Sequence, residues 1–398
     1  MKKWFIASVF LLSCYSLFSQ TKVAGGYFPY YRTTTGTNFA AYNYLYYSFV
    51  YPLDFGDIEL GDNNVKAFND FKTATASLSA KRMISVGSKN CANMAKNATA
   101  RKNFARNLRI FCRTHDMDGI DMDWEAIDNL ADMSNFTSLM KEIRAEIDST
   151  SLEFIITIGI GNYWMQWYDN DVLKQSDFLQ IMVYDQTGSW STSPYGNHAS
   201  MDHFIQAGNY WKNRGFSPDK LVLGMPYYGY KFASTAGGLA PAVTYAEILS
   251  QFPNAKAADN NLINTTGYYW FNGVDLVKQK VDYAITQGFR GVFVWEITQD
   301  NLTHPLSLTK ALSESIATNT TELKADYSEI SFFPNPAKEL VVIQSSKPLG
   351  NIAIYSVLGV EVFRQFSRET RTEIQLENLK GLYFIRVNES FTGKLVVQ

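Results

Sequence analysis

The octapeptide from Asp118 to Glu125, DGIDMDWE, constrains the fold of this chain more than any other stretch. In an extended strand, alternate side chains point to opposite faces. Asp121, Asp123 and Glu125 would then share one face, while the apolar side chains between them share the other. The sequence therefore predicts a strand that packs on its apolar side and presents carboxylates to a cavity on the other.

These carboxylates also carry a chemical expectation. Residues two apart on a strand are separated by about 6–7 Å, and three ionised carboxylates at that spacing repel one another. At least one of their pKa values should therefore be raised. A carboxylic acid with a raised pKa beside ionised carboxylates is typical of sites that protonate a glycosidic oxygen. The alternative, a solvated acidic strand end, fits poorly with the apolar flanks.

Eight short runs rich in β-branched or aromatic residues alternate with amphipathic stretches between residues 23 and 296. This order predicts an α/β protein with a (β/α)8 TIM barrel. A doubly wound open sheet is the alternative, but no Gly-rich phosphate loop follows the first run. The runs are Val23–Tyr30, Tyr44–Tyr51, Arg82–Gly87, Gly119–Glu125, Glu153–Gly159, Phe178–Tyr184, Leu221–Tyr228 and Gly291–Glu296.

In such barrels the chemistry lies at the C-terminal ends of the strands. Glu125 ends the fourth predicted strand, and Tyr184 and Asp185 end the sixth. Tyr228 ends the seventh, and Trp295 and Glu296 end the eighth. The chemically distinctive side chains thus fall where a barrel would place its active site.

The two ends of the chain have different compositions. Two lysines and an apolar run open the sequence, which predicts an export signal over residues 1–20. The predicted barrel then forms a catalytic domain over residues 21–316. Residues 317–328 are polar and Thr-rich, and we interpret them as a linker. Residues 329–398 contain short strands separated by turns, which predicts a small β-sandwich. The expected strands are Leu340–Gln344, Asn351–Tyr355, Thr372–Leu376, Gly381–Val387 and Lys394–Val397.

Several classes of function are disfavoured by composition. A net charge of −2 argues against a nucleic-acid-binding protein. No Cys/His cluster has metal-ligand spacing, so we expect neither a metal nor another cofactor. Cys91 and Cys112 could form a disulfide or remain two buried thiols. The 15% aromatic content suits a cleft that covers the apolar faces of sugars.

The motifs together resemble the family 18 glycoside hydrolases, the chitinase family, over residues 23–298. The family pattern Asp-x-x-Asp-x-Asp-x-Glu is complete from Asp118 to Glu125. Further likenesses are Gly26–Tyr30, Ser85-Val86-Gly87-Ser88, Met182-Val183-Tyr184-Asp185, Pro226–Gly229 and Trp295-Glu296.

The sequence also departs from the family pattern. Ser88 stands where the pattern has a second Gly, and Lys89 stands where many members carry Trp. Ala126 replaces a common Tyr, and Tyr230 replaces a common Arg. The segment 231–290 is short for the α+β insertion of larger members, so we expect a shallower cleft.

This resemblance implies a retaining hydrolysis of β-1,4-linked N-acetylglucosamine polymers in which the substrate's own acetamido group is the nucleophile. Glu125 would act as acid and base, Asp123 would hydrogen-bond the acetamido N–H, and Asp121 would hold Asp123 and share a proton with it. The remaining implied roles are donation to the acetamido carbonyl by Tyr184, substrate binding by Tyr27, Met182, Asp185, Tyr228 and Trp295, and structural support from Asp118, Ser85 and Gly87. A turn residue is an equally good reading of Asp118.

Two rival functions share the same acidic core. One is an endo-β-N-acetylglucosaminidase that acts on glycoprotein glycans or peptidoglycan. The other is a non-catalytic sugar-binding protein of the same fold, although such a protein would normally lack the acid that Glu125 supplies.

Residues 329–398 resemble the C-terminal sorting domain of the type IX secretion system. The likeness rests on Phe333–Pro336, Ile354–Gly359 and Leu379–Tyr383. It implies a secreted or surface-exposed protein whose partners are the type IX machinery and chitin or an N-acetylglucosamine oligosaccharide, and we expect a monomer. A carbohydrate-binding module is the competing interpretation, but this segment contains no Trp.

Overall fold

The structure is a computed structural model that describes residues 22–125, 127, 129–150, 153–161, 166–328, 330–346, 348–357, 360–387 and 391–398. The predicted export signal lies outside these residues. The chain divides into two compact units, Met1–Ile316 and Ala317–Gln398.

The first unit is built on eight parallel strands that close into a barrel, because β1 pairs with both β2 and β13. This confirms the predicted (β/α)8 barrel and excludes the doubly wound sheet. A ninth strand, β3 (Ile58–Leu60), pairs antiparallel with the end of β2. The barrel strands are β1 (Val23–Pro29), β2 (Tyr44–Pro52), β4 (Lys81–Gly87), β5 (Gly119–Asp123), β6 (Ile155–Gly161), β7 (Phe178–Met182), β8 (Leu221–Pro226) and β13 (Gly291–Trp295).

Helices follow the barrel strands along the chain, and several of them begin where the sequence supplies a capping side chain. Asn97, Asn129 and Ser200 accept backbone N–H bonds at the starts of α3, α4 and α6. A buried stripe then follows the helical period, as in α3. The helices are α1 (Val65–Thr75), α2 (Cys91–Ala95), α3 (Ala98–Thr114), α4 (Leu130–Asp148), α5 (Asn170–Leu173), α6 (Met201–Asn213), α7 (Tyr245–Gln251), α8 (Val274–Thr286) and α9 (Leu308–Ser328).

The barrel interior is filled near the strand starts. Val23, Phe178 and Val222 lie at the beginnings of β1, β7 and β8 and belong to one buried cluster with Tyr46 and Phe293. Gly25 of β1 leaves room for Phe293, since a Cβ there would come within 2.8 Å of that side chain. With apolar side chains packed at this end, polar chemistry is left to the opposite, C-terminal end.

Three barrel strands end two residues earlier than the apolar runs predict. β5 ends at Asp123, so Glu125 lies two residues beyond it, and β7 ends at Met182, ahead of Tyr184 and Asp185. β8 ends at Pro226, and Tyr228 begins another strand instead of ending this one. An apolar run does not reveal the residue at which a strand stops pairing, because that residue depends on where the neighbouring strand ends.

The connection between β8 and β13 forms a small sheet of its own. It contains four antiparallel strands and two helices. The sheet order is β10-β9-β12-β11, and its outer strands are short. The strands are β9 (Tyr228–Phe232), β10 (Ala242–Thr244), β11 (Asn261–Asn264) and β12 (Gly267–Trp270).

The segment that we interpreted as a linker is helical. Residues 317–328 form the second part of α9, which begins at Leu308. This segment contains Ala, Glu, Leu and Lys, which favour helices, and no Gly or Pro to end one. Whether the segment acts as a linker stays a prediction.

The second unit contains two antiparallel sheets with one shared core. Val341 and Ile374 of one sheet belong to the same buried cluster as Ile352, Ile385 and Leu395 of the other. This arrangement is the expected β-sandwich, although β14 and β17 were not predicted. The strands are β14 (Ser331–Phe333), β15 (Leu340–Gln344) and β18 (Arg371–Gln375) in one sheet, and β16 (Gly350–Ser356), β17 (Glu361–Ser367), β19 (Gly381–Val387) and β20 (Phe391–Val397) in the other.

Cys91 and Cys112 are both buried free thiols, so the disulfide alternative is wrong. Within the described ranges, no helix is both long enough and apolar enough to cross a membrane.

Candidate active site

A cavity of about 200 Å³ opens at the C-terminal end of the barrel strands. All the residues predicted to bind substrate line it, and so do Asp123, Glu125 and Tyr184. The sequence therefore predicted most of its wall. The lining residues are Tyr27, Phe49, Asp123, Glu125, Met182, Tyr184, Asp185, Tyr228, Phe293 and Trp295.

Asp121 lies beneath this cavity and is completely buried. Its Oδ2 accepts hydrogen bonds from the hydroxyls of Tyr27 and Ser85, each at 2.8 Å. Its Oδ1 accepts from Thr157 at 2.6 Å and from the Gln180 amide at 3.0 Å. Burial raises the pKa of Asp121, while these hydrogen bonds oppose the rise by stabilising the charged form.

Asp123 lies two residues further along and differs sharply in its surroundings. Its Oδ1 is buried and accepts no hydrogen bond from the residues that the structure describes. Gly159 on β6 makes room for it, since a Cβ at that position would lie 2.8 Å from Oδ1. Burial, then the charge of Glu125, then that of Asp121 raise the pKa of Asp123 well above its usual value.

The expected sharing of a proton between Asp121 and Asp123 has no hydrogen bond to carry it in this structure. Both oxygens of Asp121 already accept two donors, and Oδ1 of Asp123 has no partner among the described residues. The two carboxyl groups therefore act on each other here through their charges. Any shared proton would require a rearrangement of Asp123.

Glu125 lies just beyond the end of β5 with its side chain exposed to the cleft. Its backbone N–H donates to the Ser88 hydroxyl at 2.8 Å. Although the residue is exposed, surrounding protein atoms partly desolvate the carboxyl group. This desolvation, followed by the charge of Asp185, raises the pKa of Glu125. The group thereby retains its proton to higher pH than an ordinary glutamic acid.

Aromatic rings form the other walls of the cavity. Trp295 stacks against Phe49 with ring centroids 5.7 Å apart, and Tyr27 contacts the same indole at 5.7 Å. The hydroxyl of Tyr27 is already donated to Asp121, so this residue offers the cavity its ring. Burial raises the pKa of Tyr184 well above its usual value, which keeps its hydroxyl a hydrogen-bond donor.

Asp185 is held by a network behind the cavity wall. Its φ of 62° places it in the left-handed region, where the chain turns away from β7. Its Oδ1 accepts from the hydroxyls of Tyr228 and Tyr230. The buried ring of His198 lies between this oxygen and the carbonyl of Tyr228, 3.3 Å from each. Asp185 is therefore fixed mainly by other protein groups, with part of its side chain exposed.

The three residues expected to give structural support lie outside the cavity lining. Asp118 precedes β5 and binds Lys81 and the backbone N–H of Arg82, so it joins the starts of β4 and β5. Ser85 donates to Asp121. Gly87 leaves space for the ring of Tyr51, which a Cβ would approach to 2.7 Å.

Sequence reasoning missed several residues of the site, among them Phe49 and Phe293 of the cavity lining. Thr157 and Gln180 support Asp121, Gly159 makes room for Asp123, and His198 contacts Asp185. Gln180 gave a signal, because it is a polar residue in the middle of the apolar run FLQIM. The role of His198 depends on a contact between loops that no local pattern encodes.

The site offers no obvious place for a metal ion. Among the described residues, no group of three or more His, Cys, Asp or Glu side chains is arranged to hold one.

Comparison with known proteins places both units in known groups. Residues 23–300 match the model of glycosyl hydrolases family 18, and residues 331–398 match that of a secretion system C-terminal sorting domain. Among solved structures, the GH18 chitinase ChiB from the chitin utilization locus of Flavobacterium johnsoniae aligns with a TM-score of 0.64. It is 24% identical, and the alignment covers 75% of this chain and 95% of that one.

Two curated relatives match part of the chain. Probable chitinase 2 of Drosophila melanogaster is 27% identical over 264 residues, which are 54% of this chain and 54% of the relative. Endochitinase 1 of Metarhizium robertsii is 28% identical over 262 residues, 55% of this chain and 62% of the relative. The match thus spans only about half to three fifths of these relatives.

The contrast between Asp121 and Asp123 generates a stability prediction. Asp123→Asn should raise the free energy of unfolding at neutral pH by about 0.5–2 kcal/mol, because it removes a buried charge that lies close to two other carboxyl groups. The change should be measured by denaturant unfolding between pH 3 and pH 8. Asp121→Asn is the matched control and should lose about 1–3 kcal/mol, since its amide nitrogen would face hydrogen-bond donors.

The pH dependence of the Asp123→Asn effect follows from the raised pKa. Below the ordinary pKa of 3.8, Asp123 is protonated in both folded and unfolded chains, so variant and wild type should be equally stable. As the pH rises toward the higher folded-state pKa, the unfolded wild type ionises first and its folded state loses relative stability. A destabilised Asp123→Asn variant at neutral pH would contradict this account.

Proposed function

The chain belongs to family 18 of the glycosyl hydrolases, and on that premise we propose that it is a chitinase. It hydrolyses the β-1,4 linkages between N-acetylglucosamine units with retention of configuration and with the acetamido group of the substrate as nucleophile. The matched relatives carry chitinase names, which supports this substrate class.

The observation that carries the proposal is the unequal treatment of three neighbouring carboxyl groups. Asp121 accepts four hydrogen bonds, Asp123 has a buried oxygen without a donor, and Glu125 is exposed with a raised pKa. A buried acceptor without a donor costs free energy. A substrate that brings an N–H group to that oxygen would recover this cost.

Glu125 supplies the general acid in this proposal. The raised pKa keeps its carboxyl protonated closer to neutral pH, so it can donate the proton to the leaving glycosidic oxygen. The resulting carboxylate then removes a proton from the water that attacks the intermediate. Both steps use the same oxygen atoms at the open side of the cavity.

The position of Asp123 favours substrate assistance over a protein nucleophile. Asp123 ends β5, Glu125 lies two residues beyond it, and both side chains line the same cavity. A double-displacement glycosidase instead needs two carboxyl groups that flank opposite faces of the sugar. Asp123 would accept the acetamido N–H on its unpaired oxygen, which aims the acetamido carbonyl oxygen at the anomeric carbon. Its charge would then stabilise the cyclic cation that forms.

Tyr184 and Trp295 complete the proposed site for the reacting sugar. The neutral hydroxyl of Tyr184 lines the cavity and would donate to the acetamido oxygen. The Trp295 indole, braced by Phe49 and Tyr27, would form an apolar floor under the distorted ring. Met182, Asp185 and Tyr228 border the same space.

The second unit supports export. Residues 331–398 match a secretion system C-terminal sorting domain, and we assign them to recognition by the type IX machinery. The mature enzyme would then act outside the cell as a monomer, after removal of residues 1–20 as a signal peptide.

Activity on glycoprotein glycans or peptidoglycan is the main rival. Product analysis on a defined N-acetylglucosamine hexamer, a high-mannose glycopeptide and purified peptidoglycan compares the three substrates directly. The chitinase proposal expects the hexamer to be cleaved fastest. Binding of the hexamer without turnover would instead identify a non-catalytic sugar-binding protein.

The role of Glu125 can be tested with an isosteric change. Glu125→Gln cannot donate the catalytic proton, so the hydrolysis rate should fall by a factor of about 100 to 10,000 while oligosaccharide binding persists. Turnover and calorimetric binding of the hexamer should be measured together, and Glu59→Gln provides a control at an acidic residue outside the cavity lining. Activity within tenfold of the wild type would contradict the assignment.

The role of the acetamido group can be tested on the substrate. If this group is the nucleophile, fully deacetylated chitosan and cellulose should not be hydrolysed, because neither supplies the attacking oxygen. A thiazoline analogue of the cyclic intermediate should inhibit competitively. Cleavage of deacetylated chitosan at a rate similar to that of chitin would refute substrate assistance.

The division of labour between the two units can be tested by truncation. A chain that ends at Ala317 retains every residue of the cavity, so it should keep full activity on soluble oligomers but fail to leave the cell. Activity and localisation in the native host measure these two effects. If isolated residues 329–398 sediment with crystalline chitin and the truncated enzyme is exported normally, the segment is a carbohydrate-binding module instead.

A further inference from the structure

Ser88 occupies the point where β4 and β5 separate beside the cavity. The last paired residues of the two strands are Gly87 and Asp123. Beyond them, the Ser88 hydroxyl donates to the carbonyl oxygen of Asp123 at 3.2 Å and accepts from the backbone N–H of Glu125 at 2.8 Å. One side chain thus binds the backbone on both sides of Trp124.

These two contacts take the place of a missing rung in the sheet. In a parallel sheet, a residue that bonds to the neighbouring strand donates its N–H to the carbonyl of the residue that precedes its paired residue. Its own carbonyl accepts from the N–H of the residue that follows the paired residue. If β4 continued, the backbone of Ser88 would make those bonds to Asp123 and Glu125 around Trp124. Its hydroxyl makes both of them instead, so the side chain extends the pairing after the backbones have parted.

The carbonyl group of Trp124, in the middle of this segment, is also held. The carbonyl oxygen of Trp124 accepts a hydrogen bond from the buried Tyr168 hydroxyl at 2.8 Å. The peptide groups that lead to Glu125 are therefore anchored from two sides, by Ser88 and by Tyr168. The Glu125 side chain itself projects into the open cleft, where its position depends on this anchored backbone.

We propose that Ser88 is a positioning residue for Glu125, a role that rests on the proposed function of Glu125 as the acid. Its hydroxyl fixes the backbone from Asp123 to Glu125, so the two carboxyl groups keep the spacing needed to act on one sugar. The family pattern has Gly at this position, which cannot make these bonds. Ser88 is thus a device of this chain and not a feature that the pattern supplies.

If the Ser88 hydroxyl had a purely structural role, its loss would have a different effect on the kinetics than if it positions Glu125. Protonation by Glu125 matters most when the leaving group is a sugar alcohol, and much less when it is an acidic phenol. Loss of the Ser88 hydroxyl should therefore impair cleavage of an oligosaccharide far more than cleavage of an aryl glycoside. A general loss of folded or correctly shaped protein would impair both reactions equally.

The experiment compares wild type, Ser88→Ala and Ser88→Thr on the N-acetylglucosamine tetramer and on the para-nitrophenyl glycoside of diacetylchitobiose. For Ser88→Ala we expect kcat on the tetramer to fall about 10- to 100-fold with KM unchanged, and a clearly smaller fall on the aryl glycoside. Ser88→Thr keeps the hydroxyl at an exposed position and should restore both rates.

Ser149→Ala is the matched control, because it also removes an exposed hydroxyl bonded to backbone, here the carbonyl of Glu146 at the end of α4. It should change neither rate. If Ser88→Ala does not fold, Ser88→Cys permits the same comparison with a much weaker hydrogen-bonding group.

Two results would overturn the proposal. One is an equal fall on both substrates, and the other is unchanged kinetics in a Ser88→Ala enzyme. Failure of the underlying function looks different, because the wild type would then cleave neither substrate or Glu125→Gln would remain active.

Discussion

The buried carboxylate of Asp121 joins the barrel to its active site. From β5 it accepts hydrogen bonds from Tyr27 of β1, Ser85 of β4, Thr157 of β6 and Gln180 of β7. A carboxylate deprived of water is costly unless such donors surround it. The bonds can form only when these strands have closed around it, so the closed barrel and the correct floor of the site are reached together.

Asp123 lies in surroundings that are unfavourable for stability but suit the proposed chemistry. Only one residue separates it from Asp121, yet its buried oxygen has no donor among the described residues and lies near two other carboxyl groups. The fold stabilises one acid fully and leaves the next one unsatisfied. Local instability of this kind is expected where a site is prepared for a ligand and not for its own stability.

At Glu125 the backbone is anchored while the side chain is exposed. The backbone is held by Ser88 and Tyr168, and the acidic side chain remains in the cleft. On the far wall, Asp185 is fixed by two tyrosine hydroxyls and contacts the buried His198. Desolvation, followed by the charge of Asp185, raises the pKa of Glu125. Geometry and protonation of the proposed acid are therefore set by different elements. The backbone anchors come from the loops after β4 and β6, and the electrostatic partner follows β7.

The sequence by itself determined the eight parallel strands, the acidic face of β5 and most of the cavity lining at the strand ends. These follow from local rules: alternation along a strand, the spacing of apolar runs, and the common edge at which parallel strands end. It also predicted the β-sandwich core of the second unit, whose alternating apolar residues must pack against another sheet.

Only the tertiary structure decided which acid is satisfied and which is not. The donors to Asp121 come from residues 36 to 94 positions away, and the pairing of Gln180 with it reflects barrel closure and not sequence proximity. The early ends of β5, β7 and β8 have the same origin, since a strand stops where its neighbour stops offering partners. Hydrogen-bond satisfaction is a property of groups brought together in space, whereas side-chain alternation is a property of the chain itself.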